Sequence, residues 1–153
     1  MGVISLNGTV DNAAVKDSAN LSQTKLQHRA HRTYHQVGGA DVVAFDNILY
    51  RAYKHATVLE ITATPDVVPA GGTKTLTIDV KKSTAGGAWG TILSGTTEIN
   101  SSSVARTPLE LSLSGSPSLL AGDILKVVGT LAGSGGTNVQ GVLVEAVLAE
   151  DCV

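Results

Sequence analysis

The sequence predicts an all-β fold, an antiparallel β-sandwich of about seven to eight short strands. Three observations carry this. The run Lys74–Lys82 alternates without a break, with Leu76, Ile78 and Val80 on one side and Thr75, Thr77, Asp79 and Lys81 on the other. Successive strand side chains point to opposite faces, so this run offers one face to a core and one to water, as antiparallel strands do. Clusters of Gly, Ser, Thr and Pro cut the chain into short segments, with 17 glycines in 153 residues. No helical crossover of the kind a parallel sheet requires lies between the apolar runs.

Taken in order, residues 1–24 are polar and small, with no sustained period, and read as an arm without a core of its own. A short helix from Ser18 through Gln27 is the alternative, since Leu21 and Leu26 fall near one helical face. The expected organisation is an N-terminal arm over 1–36 and a sandwich domain over 37–153. The arm ends in the chain's one basic stretch, Lys25–Gln36, with Lys25, Arg29, Arg32 and three histidines and no acid. It reads either as an ordinary solvated surface or as an element that docks on an acidic partner.

Val37–Asp41 is a break, and Val42–Tyr50 is extended with a kink at Asp46-Asn47. Thr57–Ala63 is a strand with Leu59 and Ile61 inward and Glu60 and Thr62 outward. Pro65–Gly72 is a loop set by its prolines and glycines. Ser83–Gly90 is a loop carrying the only tryptophan, Trp89, which either packs or offers a flat indole to a ligand. Thr91–Ile99 is a strand interrupted at Gly95, and Thr107–Leu113 places Leu109, Leu111 and Leu113 on one face. Asp123–Glu150 has the signature of a hairpin: two β-branched-rich runs around Gly133–Thr137.

The phase of that last run matters. Val142, Val144, Ala146 and Leu148 share a face that belongs to a core. Leu143, Glu145 and Val147 share the other, which is also mostly apolar. Burying a Val or Leu is worth roughly 1.5–3 kcal/mol, so a cover is expected over Leu143 and Val147, either the arm or another subunit.

The composition is 42% hydrophobic, 16% charged and 3% aromatic. A domain of this length buries roughly 68–70% of its extended-chain surface, enough for a core without staples. A net charge of -2 argues against nucleic acid as a partner. Arg51, Lys54 and His55 near Tyr50 and Tyr53 form the one basic and aromatic cluster, too thin for a single-strand track. The single cysteine, Cys152, excludes an intrachain disulfide. The first residues lack the basic and apolar regions of a secretory signal, and no apolar run is long enough to span a membrane. Leu6 stands where a myristoylation motif takes Ser or Thr.

No nucleophile elbow, P-loop or zincin motif occurs, and no Asp-rich calcium loop. Glu98, Glu110 and Glu145 alternate with apolar residues, as outward solvating groups do. His28, His31 and His35 share a face only if helical; in a strand His31 and His35 share one and His28 faces away. No carboxylate or thiol lies near them in sequence to complete a metal shell. The expectation is no enzyme, no metal and no cofactor.

Three segments carry a resemblance: Thr77–Leu93, Leu119–Val128 with its Ala-Gly-Asp turn, and Gly135–Glu145. In this succession of strand, Gly-rich turn and Ala-Gly-Asp turn, residues 57–150 resemble phage virion proteins of the capsid decoration (cement) type, which are small β-sandwich or jelly-roll proteins. The resemblance implies a jelly-roll-like sandwich and a homo-oligomer, commonly a trimer, bound to the major capsid protein at the virion surface after synthesis in the host cytoplasm. It carries no catalytic residues. On this reading Lys25, Arg29, Arg32, Leu143 and Val147 meet partners, and Trp89 is a candidate ligand platform. A carbohydrate- or receptor-binding module, and a tail, baseplate or neck component, are the alternatives.

Overall fold

A computed structural model describes residues 28–151, which form ten β-strands. They are β1 (His28–Asp41), β2 (Phe45–Arg51), β3 (Ala56–Val67), β4 (Thr75–Ser83), β5 (Trp89–Thr91), β6 (Thr97–Ile99), β7 (Leu109–Glu110), β8 (Ser118–Leu119), β9 (Ile124–Ala132) and β10 (Gln140–Glu150). Sheet I runs β1-β10-β3-β7, with β8 also on β3; sheet II runs β2-β9-β4-β5, with β6 also on β4. Every pairing is antiparallel.

The short strands fall in line. β5 and β6 lie one after the other along β4, and β7 and β8 along β3. Taken as single interrupted strands, they reduce the fold to eight strand positions. The chain then changes sheet at every step but the one from β4 to β5, in the order of a jelly roll, with the last strand between the first and third.

Alternation in the sequence becomes the core directly. Ile61, Ala63, Val144, Ala146 and Leu148 of sheet I face Leu76, Ile78, Val80, Leu125 and Val127 of sheet II, and all are fully buried. With so few aromatics, aliphatic side chains fill the space between the layers, each contributing roughly 1.5–3 kcal/mol by leaving water.

The two long sides of the sandwich differ. On the β5/β7 side the chain leaves β4 after Thr91 and reaches across to the other layer. Ser94 N donates to Ser112 O and Ser114 N to Ile92 O, while Leu111 N donates to Ile61 O of β3. This side is zipped by backbone hydrogen bonds. It accounts for the interruption expected at Gly95, which spans Ile92–Thr96. On the opposite side, among the described residues, β1 and β2 are the sheet edges. One half is plugged by the Tyr34 and Phe45 rings, 4.5 Å apart, and by Gln36, whose side chain bonds both the N–H and the C=O of Val43. The Phe45 ring occupies the space where a β-carbon of its cross-strand partner Gly129 would stand.

Several expectations are corrected. Asp123–Glu150 is not a hairpin: β9 belongs to sheet II and β10 to sheet I. The Gly133–Thr137 loop is captured by the loop after β3, through Thr73 N to Ser134 O and a bridge between Ala70 and Thr137. That capture sends the chain to the other layer. Leu59 points outward and is 43% exposed, because the register shifts there and Val58 takes the inward place beside Ile61. Pro65 is not in a loop; β3 continues through it to Val67, with Pro65 opposite Val142. Trp89 opens strand β5. Residues 28–36, expected at the end of the arm, are the first part of β1 and pair with β10. Residues 1–27, with Lys25, and Cys152 lie outside the described residues.

Candidate functional site

The outward face of sheet I follows from the phase of β10. Leu143, Glu145 and Val147 point away from the core, flanked by His35, Thr33 and His31 on β1 and by Thr64, Thr62 and Glu60 on β3. Thr64 is short and leaves one side of Leu143 open, while Val147 lies between His31 and Glu60. Leu143 is 36% exposed and Val147 half-buried, and Leu59 adds a further apolar group where β3 swells. Arg29, opposite Ala149, is exposed at the end of this face. His31 Nδ1 and Glu145 Oε1 lie 2.5 Å apart. The face offers shallow apolar and polar contact.

The histidines do not converge. In a strand, His31 and His35 are about 13 Å apart at roughly 3.3 Å per residue, too far to share an ion. Among the described residues, no group of three or more His, Cys, Asp or Glu is arranged to hold a metal.

Arg32 lies elsewhere than Arg29, because adjacent strand residues face opposite ways. It sits in the unplugged half of the open side, its guanidinium 5.1 Å from the centre of the Tyr50 ring. Glu150, at the end of β10, gathers this corner. It accepts the Tyr50 hydroxyl at 2.7 Å, and its carboxylate lies 3.5 Å from Arg32 Nη2 and 3.9 Å from Lys54 Nζ. Together with Ile48, Arg51 and Tyr53, these residues line a groove of about 570 Å³. Arg51 and Lys54 were noted in the sequence as local charge beside tyrosines. Their convergence with Arg32 had no local signal, because β1 and β2 meet only through the folding of the two layers.

The groove has a measurable mark. Burial, with the bond to Glu150 behind it, pushes the Tyr50 phenol up to about 12 from 10.0. Its folded-state pKa is raised, so the stability it contributes is complete below about 10 and is lost as the pH rises through about 12. Phenolate absorbance should therefore show one tyrosine titrating late, and Tyr50→Phe should abolish that late step.

Trp89 is 39% exposed, and Lys126 Nζ stands 4.4 Å from the centre of its ring. The same ammonium bonds Asp46 Oδ2 at 2.7 Å, which fixes it. One face of the indole is thus already occupied by a cation.

Comparison of the chain with protein families, with curated proteins and with solved structures found no match in any of the three.

Proposed function

We propose that this is a virion structural protein of the capsid decoration type, which associates with copies of itself, as a trimer, and binds the major capsid protein at the head surface. The observation that supports it most is the outward face of sheet I, where Leu143 stays exposed on an interior strand between His35 and Thr64. An apolar group held at the middle of a rigid sheet suits a contact with a neighbouring subunit. The resemblance over residues 57–150 supplies the kind of neighbour. Across a repeated lattice, many such modest contacts add through multivalency. The role asks for a stable body with sticky faces and no reaction chemistry.

Co-sedimentation with capsids assembled from the cognate major capsid protein tests this. The intact chain is expected to pellet with capsids, and Leu143→Asp with Val147→Asp to reduce its occupancy at least about tenfold, equivalent to about 1.4 kcal/mol. Light scattering on the free protein reads the oligomer. A monomer that ignores capsids overturns the proposal, and imaging of labelled particles separates a head location from a tail or neck one.

A further inference from the structure

The groove on the open side carries an inference beyond the capsid reading. Arg32, Arg51 and Lys54 meet there with one carboxylate, Glu150, leaving a local surplus of two positive charges on a chain of net charge -2. Glu150 is already engaged by the Tyr50 hydroxyl, Arg32 and Lys54. Among the described residues no acid pairs with Arg51, which is exposed. Beside these cations stand two large exposed apolar groups, Ile48 at 60% and Tyr53 at 82%. The strands on either side, β1 and β2, are both sheet edges.

We propose that this groove binds an acidic segment of a partner polypeptide, with carboxylates against Arg51 and Lys54 and an apolar side chain between Ile48 and Tyr53. Charge complementarity selects the partner. Opposite charges across a contact steer association and exclude partners of the wrong sign. The apolar rim selects a peptide over a simple anion, since a free carboxylate or phosphate leaves Ile48 and Tyr53 uncovered. The edge strands add backbone groups to which an extended segment bonds. A nucleic-acid strand fits less well. It takes a track of cations with successive stacking rings. Here the Tyr50 ring is capped by Arg32, and Tyr34 and Phe45, packed on each other, do not line the groove.

The test is fluorescence anisotropy on the full chain with a short labelled peptide alternating glutamate and leucine. The same peptide with lysine for glutamate and a labelled oligothymidylate run in parallel. Saturable, salt-sensitive binding of the acidic peptide alone is expected, weakened at least about tenfold in Arg51→Glu/Lys54→Gln. Tyr53→Ala should weaken it severalfold while leaving the salt dependence in place. These side chains lie at the surface, and an unchanged urea midpoint confirms that the variants fold. Equal binding of the lysine peptide, tighter binding of oligothymidylate, indifference to the double variant, or no binding overturns the proposal. Capsid co-sedimentation of the Leu143 and Val147 variants reads a different face, so failure here leaves the capsid reading standing and the reverse is also true.

Discussion

Gly133→Ala is expected to destabilise the protein by about 3 kcal/mol, the combined cost of a left-handed alanine and a clash that the backbone must relieve. Gly133 has φ of 82°, and a β-carbon there would lie 2.0 Å from the carbonyl oxygen of Thr73. Thr73 has no freedom to retreat. Its N–H donates to Ser134 O, and its hydroxyl accepts from Ser134 N. Alanine at this position must pry apart the two loops whose contact carries the chain from β9 into the other layer. Urea unfolding measures the loss. Ser134→Ala is the control, because only backbone atoms of Ser134 join the contact, and it should fall within about 0.5 kcal/mol of the parent. A Gly133→Ala midpoint equal to the parent's would show that the loop contact is dispensable.

Asp123→Ala is expected to cost about 2 kcal/mol, in the range for leaving a hydrogen-bond donor without its buried acceptor. Asp123 is 1% exposed, and its carboxylate accepts the Leu120 N–H at 3.0 Å and lies 3.4 Å from Lys82 Nζ. It closes the Ala-Gly-Asp turn and ties it to β4, while its own carbonyl accepts the Ala52 N–H. Alanine leaves the Leu120 N–H without its acceptor, while the part-exposed Lys82 ammonium keeps its bond to Ser118 O. The pH dependence follows. Burial alone would raise the carboxyl, but the Leu120 N–H and the Lys82 ammonium outweigh it and hold it below 3.8. A depressed folded-state pKa means a contribution complete above the unfolded value of about 3.9 and lost as the pH falls through the folded one. Asp41, lowered by amide donors from Asn138 and Gln140, acts in the same direction. Thermal melts between neutral and acid pH should therefore fall less steeply in Asp123→Asn, from a lower start.

The layered body was legible because alternation is local. Leu76, Ile78 and Val80 announce an inward face by themselves, and so do Val142, Val144, Ala146 and Leu148; all are buried as read. Partner choice is not local. The run around Gly133–Thr137 looks like a turn between paired strands. Whether its flanks bond to each other depends on Thr73, some sixty residues earlier. Leu59 fails for a related reason: one extra residue on β3 shifts the phase, and no composition marks the place. Asp123 looked like an ordinary turn residue, since its burial depends on Lys82 reaching it from another strand. Of the residues singled out, Leu143, Val147 and Arg29 share one face, Arg32 belongs to the groove on the open side, and Trp89 stands apart against Lys126.

The strand that completes sheet I follows both of its neighbours in the chain. β10 lies between β1 and β3, with His28 opposite Glu150. Until β10 has emerged from the ribosome, β1 and β3 have no common neighbour, and the interior side of sheet I is incomplete. Assembly must wait for β10, and such long-range pairing makes folding slow. Nascent chains stalled before residue 140 should remain open to protease along their whole length, and chains freed of the ribosome should become resistant in one step.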